Sequence, residues 1–167
     1  MIVLINEKKV FMSVSAHGSR GGWWVVGQFI IIIMIITAGF VPYGQYDGGL
    51  LSTILGALLC LVAVGFGWGG FGALGRNLTA FPKPLDDGQL VTTGVYAIVR
   101  HPIYTAVICG SMGYALLTAS WWGIVLTVVL AVWFEFKSRR EEEYLRDHFP
   151  TYAAYAHKVA KFLPRIY

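Results

Sequence analysis

The chain has 167 residues, of which 56% are hydrophobic, 15% aromatic and only 13% charged. An average soluble domain carries about 25% charged residues, and a soluble fold of this size cannot hide so much apolar surface. The composition therefore excludes an ordinary soluble domain, a disordered chain and a disulfide scaffold. It indicates an integral membrane protein of one domain over 1–167, with a formal charge of +4.

Uncharged stretches predict four membrane-spanning helices, because a span needs about 20 mostly apolar residues. Residues 23–41 form the first stretch and residues 50–75 the second. A third stretch, 103–134, would be about 48 Å long as a single helix, whereas the hydrocarbon core is about 30 Å thick. We therefore predict two short spans there, 103–118 and 119–137, joined by a tight turn. The predicted fold is all-α.

The basic residues predict the orientation of these spans. With four spans, all 13 Lys and Arg residues lie on one side of the membrane, in the N-terminal lead, the loop over 76–100 and the tail that follows the last span. On the other side, the only charged residue is Asp47. The positive-inside rule makes the basic side cytoplasmic. We expect a bacterial or archaeal plasma membrane protein with both termini cytoplasmic and residues 1–20 as a cytoplasmic lead.

Two polar segments border the third span. The loop over 74–99 is broken by prolines and glycines, so it is not one helix, but its apolar members argue against disorder. It leads into the sequence R-H-P-I-Y over 100–104. Pro102 suits the first turn of a helix, where free N–H groups can hold an anion. The alternative is that Arg100 only sets the topology and Tyr104 only anchors the helix at the interface.

The third polar segment is the tail, which contains three consecutive carboxylates, Glu141, Glu142 and Glu143. An interfacial amphipathic helix with a charged outer face would explain most of this segment. Three adjacent acids cannot all face solvent on one helix, so we expect one to point inward, toward the loop. The resulting prediction is a cytoplasmic pocket under the loop and a tail helix. Such a pocket suits a zwitterionic, aromatic ligand, and its apolar flank suits a lipidic partner.

The motifs of the second half carry a family resemblance. The sequence L-V-T-T-G-V-Y-A-I-V-R-H-P-I-Y, followed by E-E-E-Y-L, F-P-T-Y-A-A-Y and F-L-P, resembles isoprenylcysteine carboxyl methyltransferases. It is also similar to the related phospholipid methyltransferases of membranes. The resemblance covers about residues 74–165. It implies an enzyme that uses S-adenosylmethionine and admits an amphiphilic acceptor from the bilayer, most like the carboxylate of a prenylcysteine-type substrate.

The resemblance also implies roles for individual residues. Counting from the R-H-P motif selects Glu142 for the cofactor, whereas counting back from Leu145 or Phe149 selects Glu141 or Glu143. Arg139 is the best match to an arginine that the family uses to bind the methyl acceptor, and Arg140 is the second-best match. Arg139 and His101 are the predicted catalytic residues. The residues expected to bind the cofactor are Gln89, Leu90, Val91, Tyr96, His101, Tyr104 and Glu142.

The acceptor decides what catalysis requires. A carboxylate is already ionised at neutral pH and needs only in-line placement, whereas an amine would need a base such as His101 or a glutamate. The expected partners are a lipidic or prenylated small-molecule acceptor and membrane lipid, with no nucleic acid and no metal. Three alternatives stay open: a methyltransferase for phospholipids or other small amphiphiles, a sterol-reductase-like NADPH oxidoreductase, and a non-enzymatic membrane module.

Overall fold

A computed structural model describes residues 21–82 and 88–164 of the chain. These residues form only α-helices, two short 3₁₀ turns and isolated β-bridges, so the predicted all-α fold is confirmed. The predicted lead over 1–20 lies outside the described residues. The helices are α1 (Gly22–Ala38), α2 (Gly49–Leu74), α3 (Pro102–Leu117), α4 (Trp121–His148) and α5 (Tyr152–Lys158), and the 3₁₀ turns are Gly75–Asn77 and Gly94–Ala97.

Helices α1 to α4 occupy the four stretches predicted as spans. By length and composition, α2 with its following turn and α4 are long and apolar enough to cross a membrane. Helices α1 and α3 are also apolar but have only 17 and 16 residues. At 1.5 Å per residue each is about 25 Å long, slightly less than the hydrocarbon core of about 30 Å. That all four helices cross a membrane therefore stays a prediction.

Glycines allow α2 and α3 to pack closely. A Cβ atom on Gly113 of α3 would lie 2.7 Å from the carbonyl oxygen of Gly56 and 2.7 Å from the Cys60 sulfur, both on α2. Small residues at such contacts let two helix backbones approach each other, as they do in membrane proteins. At the other end of the helix pair, a Cβ atom on Gly70 of α2 would lie 2.9 Å from the Ile103 side chain, so the start of α3, and hence the R-H-P segment, packs against the end of α2.

The turn between α3 and α4 lies where the uncharged stretch was divided. Ala119 takes a left-handed conformation with φ of 48°, and the Ser120 hydroxyl accepts a hydrogen bond from the Gly123 N–H at 3.1 Å, which caps α4. Ser120 also donates to the Ala38 carbonyl oxygen of α1 at 3.1 Å. The turn therefore starts α4 and connects it to the end of α1.

Helix α4 extends well beyond the predicted end of the last span at residue 137. It continues to His148 because its polar part contains paired charges, such as Arg139 with Glu135 and Arg146 with Glu142, at the i,i+4 spacing that stabilises a helix. Pro150 is the first residue that breaks the pattern, and α5 begins just after it. A single rigid helix thus joins the apolar core to the acidic cluster.

Candidate ligand-binding pocket

A pocket of about 560 Å³ lies between the ends of the helices and the loop over 88–91. This volume is in the range of small-molecule sites, about 300–1,000 Å³. Its apolar side combines residues of α1 and α2 with residues of α3 and α4, and its polar side is formed by the start of α3, the middle of α4 and α5. The apolar side is lined by Phe29, Ile32, Phe71, Leu74, Val107 and Phe134. The polar side is lined by Tyr96, Arg100, His101, Tyr104, Lys137, Glu141, Tyr152 and Tyr155.

Glu141 is the member of the acidic triplet that lines the pocket. Its Oε2 accepts a hydrogen bond of 2.7 Å from the Tyr104 hydroxyl and lies 3.8 Å from Nδ1 of His101. The Tyr104 ring is stacked between the rings of His101 and Phe134, at centroid distances of 5.3 and 4.5 Å. This stack restrains the hydroxyl that holds the Glu141 carboxylate in place.

Glu142 is the glutamate that the spacing from the R-H-P motif predicts for the cofactor. It lies behind the pocket wall and is not among the lining residues. Its buried Oε1 lies 3.1 Å from Nε of Arg100 and 3.0 Å from Nε2 of His101. Burial alone would raise the pKa of Glu142. The hydrogen bond to His101 and the charges of His101, Arg100 and Lys161 outweigh burial and lower that pKa to about 2. Glu142 is therefore a buried anion that holds the pocket wall together.

Arg100 connects the start of α3 to the segment that follows α5. Its guanidinium donates to the carbonyl oxygens of Ala156 and Val159, at 2.7 and 2.5 Å, in addition to its contact with Glu142. Its backbone N–H donates to the Ala160 carbonyl oxygen at 2.8 Å. The side-chain bonds use three of the five guanidinium N–H donors, so in the described structure Arg100 helps to assemble the site.

The other residues expected at the cofactor site all line the pocket, namely Gln89, Leu90, Val91, Tyr96, His101 and Tyr104. The Asn77 side chain holds the loop, accepting a 3.0 Å bond from the Gln89 N–H, and the Tyr155 hydroxyl donates to the Tyr96 carbonyl oxygen at 2.6 Å. Burial raises the pKa of Tyr155 to about 12, so this phenol stays a donor at neutral pH. The structure brings these residues together, and their cofactor roles stay predictions.

Arg139 and Arg140 are not among the residues that line the pocket. Both are exposed, and their guanidinium groups lie 2.6 Å from Glu135 and Glu143, respectively. The pocket side of α4 presents positions 134, 137, 141 and 145, which recur at helical spacing. Positions 139 and 140 fall on other faces of the helix. The predicted acceptor roles of these arginines therefore lack a contact with the pocket.

Sequence reasoning missed Lys137, which it counted only as one of the basic residues that set the topology. Lys137 lines the pocket and is 1% exposed. Its Nζ donates to the side-chain oxygen of Gln28 at 2.5 Å and to the Ala80 carbonyl oxygen at 2.9 Å. The signal that could have found it is its spacing of one helical turn before Glu141.

The chain is similar to two curated bacterial proteins that are named for metal resistance. The chain is 29% identical over 154 residues to the cobalt-zinc-cadmium resistance protein CzcN of Cupriavidus metallidurans, covering 87% of this chain and 63% of that protein. It is 31% identical over 155 residues to the nickel-cobalt-cadmium resistance protein NccN of Alcaligenes xylosoxydans xylosoxydans, covering 88% of this chain and 65% of that protein. The chain thus spans a little under two thirds of the length of these curated relatives. Within the described parts of the chain, no three His, Cys, Asp or Glu side chains cluster as metal ligands.

Residues 51–152 match the family described as phospholipid methyltransferase. The match covers more than half of the chain, from α2 to the start of α5. It falls on the second of the two families that the motifs resemble, and prenylcysteine specificity is not shown. The protein belongs to the phospholipid methyltransferase family, whose members are membrane-bound methyltransferases that use S-adenosylmethionine.

Proposed function

We propose that this protein transfers a methyl group from S-adenosylmethionine to a phospholipid or another small amphiphile at the cytoplasmic face of a bacterial or archaeal membrane. The observation that carries the proposal is a single pocket that joins a polar side, around Glu141 and His101, to an apolar side formed by all four long helices. The family match favours this acceptor class over the prenylcysteine carboxylate that the motifs suggested first.

The residues of the polar side fit the cofactor. The carboxylate of Glu141 complements an ammonium group, and the apolar loop residues Leu90 and Val91 with the ring of Tyr96 suit a planar heterocycle. S-adenosylmethionine supplies an electrophilic methyl group on a sulfonium ion when it is bound. Because the sulfonium is itself a good leaving group, the protein needs to bind, orient and exclude water rather than to activate the donor.

The apolar helices support a membrane setting with four spans. On α2 the side chains of Leu50 and Trp68 are 77% and 81% exposed, and many other large apolar side chains of α1, α2 and α4 are exposed as well. Water-exposed apolar surface of this extent is rare on soluble monomers, whereas lipid would cover it. Phe29 of α1 and Phe71 of α2 continue this surface into the pocket, which favours an acceptor that enters from the bilayer.

The chain also offers a base for an amine acceptor. An ammonium must lose a proton before its nitrogen can attack the methyl group, and a positioned carboxylate or imidazole can take that proton. Glu141 is the carboxylate that reaches the pocket, and the Nδ1 of His101 lies 3.8 Å from it. Because Glu141 is assigned to the ammonium of the cofactor, we assign proton removal from an amine acceptor to His101, which also lines the pocket.

Binding of the unreactive product S-adenosylhomocysteine to nanodisc-embedded protein tests this proposal. We expect Glu141→Gln to weaken binding at least tenfold in calorimetry, because an amide cannot neutralise an ammonium. The matched control is Glu143→Gln, two residues along α4, where the carboxylate is exposed and paired with Arg140. Equal affinity of Glu141→Gln and the parent would refute the site. A labelled-methyl transfer assay on native membrane lipids, followed by mass spectrometry, then identifies the acceptor.

A further inference from the structure

Lys137 is a buried cation whose described hydrogen-bond partners are neutral. Its Nζ donates to the amide oxygen of Gln28 and to a backbone carbonyl oxygen, that of Ala80. Among residues 21–82 and 88–164, no carboxylate oxygen lies within 4.0 Å of this ammonium. Glu141, one helical turn away on α4, acts on Lys137 only through its charge and makes no direct ion pair with it. Burying a charge without a contacting counter-charge is unfavourable, so Lys137 presents a positive charge to the pocket that an anionic ligand group can contact.

The surroundings of this ammonium are apolar. Its Nζ lies 5.1 Å from the centroid of the Tyr104 ring and 5.9 Å from that of Phe134. Gln28, which holds it, is followed on α1 by Phe29 and one turn later by Ile32, and both line the same pocket. Aromatic faces stabilise a cation without neutralising it. An anion placed here would be desolvated, and its attraction to Lys137 would be strong.

We propose that Lys137 selects acceptors that carry an anionic group, a phosphate or a carboxylate, and holds this group beside the apolar side of the pocket. The inference rests on the proposed function. An ammonium has three N–H donors, and Gln28 and Ala80 accept from it twice, which leaves donor capacity for the ligand. The acyl chain of the acceptor then lies among Phe29, Ile32 and their neighbours.

The spacing between Lys137 and Glu141 adds a constraint on the acceptor. The two residues are one helical turn apart on α4, so their backbone positions are separated by about 6 Å along the helix axis. This separation suits a headgroup whose anion and reacting amine are joined by a short linker. In carboxyl methylation the anion is itself the nucleophile, and no second anion site is needed. A phosphate bound by Lys137 therefore accompanies an amine that reacts near Glu141.

A purely structural role is the competing explanation, because Lys137 also connects α4 to α1 and to the segment after α2. The two roles differ in what they predict for a neutral ligand. Loss of a structural tie would distort the pocket for charged and neutral amphiphiles alike. Loss of an anion site would weaken only the binding of anionic amphiphiles.

The experiment measures binding of three fluorescent amphiphiles with the same single acyl chain to the full chain in neutral nanodiscs. The two probes with an anionic group are a lysophosphatidylethanolamine, whose phosphate is anionic, and a fatty acid, and the neutral probe is a monoacylglycerol. We expect Lys137→Gln, which keeps a hydrogen-bond donor, to lose at least tenfold in affinity for an anionic probe and less than twofold for the neutral one. Lys137→Arg should retain the preference. The control Lys158→Gln removes the same charge from an exposed position on α5 and should change nothing.

The outcomes separate the explanations. Equal losses for all three probes, or no loss for any, overturn the proposal, and the probe that loses most identifies phosphate or carboxylate as the anion. If Lys137→Gln does not fold, Lys137→Met takes its place, and the parent must still prefer anionic over neutral probes. S-adenosylhomocysteine binding is measured in the same samples. Its absence in the parent would refute the proposed function, whereas loss of the anion preference alone tests Lys137.

Discussion

Replacing Glu142 by glutamine removes the buried anion at the centre of the pocket wall. The substitution keeps the shape of the side chain, but it removes the described carboxylate partner of the Arg100 guanidinium and the nearer of the two carboxylates beside the His101 ring. Breaking a buried ion pair by removing one partner costs about 3–5 kcal/mol. We therefore expect a marked loss of stability, even though the substituted residue lies outside the pocket lining.

The pKa of Glu142 gives an independent magnitude. It falls from the ordinary value of 4.5 to about 2 in the folded protein, and each unit corresponds to about 1.4 kcal/mol, so ionisation of Glu142 stabilises the fold by about 3 kcal/mol. A depressed folded-state pKa contributes stability that is complete above pH 4.5 and is lost as the pH falls toward 2. The advantage of the parent over Glu142→Gln should therefore be constant from pH 7 to pH 5 and fall by about 1.4 kcal/mol at pH 3.5.

Thermal and denaturant unfolding in one detergent at pH 7, 5 and 3.5 measures this advantage. Both proteins contain the same remaining acids, so their difference isolates the ionisation of Glu142 from the general effects of acid. Equal stability of Glu142→Gln and the parent at pH 7 would show that Glu142 is not a stabilising buried anion. A stability difference as large at pH 3.5 as at pH 7 would show that its pKa is not depressed as described.

Two further predictions test the packing and the arginine inferred from the resemblance. Gly113→Ala should lower the stability by about 1–3 kcal/mol, because its Cβ would lie 2.7 Å from a backbone carbonyl oxygen of α2. Gly65→Ala, whose Cβ meets no atom within 4 Å, should be neutral or stabilising in the same thermal assay, and equal losses in both variants would contradict the close contact. Arg139→Ala should leave acceptor turnover within twofold of the parent in the labelled-methyl assay, because Arg139 lies outside the pocket and is paired with Glu135. A large loss of turnover with S-adenosylhomocysteine binding intact would restore Arg139 to the acceptor site.

The positions of the helices could be predicted from the sequence because their signals are local. Uncharged stretches and a single polar interruption at 118–120 are enough to locate α1 to α4, and each helix begins within two residues of the predicted stretch. The end of α4 could not be predicted in the same way. Hydropathy reports where apolar residues stop, whereas the helix continues for another 11 residues through paired charges to His148.

The part of the pocket that comes from contiguous sequence could be predicted, whereas the part that depends on how α4 is rotated could not. The loop residues and the R-H-P motif are contiguous in sequence, so a motif identifies them as a group. Which glutamate points inward depends on the rotation of α4 about its axis, which a count along the sequence does not fix. Lys137 was missed because a lysine at the end of an apolar stretch ordinarily extends to the membrane interface. Only the contacts with Gln28 and Ala80 reveal that it is held inside.

The contacts of Arg100 also impose an order on biosynthesis. The two carbonyl groups that its guanidinium binds lie 56 and 59 residues later in the chain, and at translation rates of about 5–20 residues per second those residues are made about 3–12 s after Arg100. During this interval the Arg100 guanidinium lacks these two acceptors. The part of the pocket wall that joins the start of α3 to the segment after α5 can therefore form only late in synthesis.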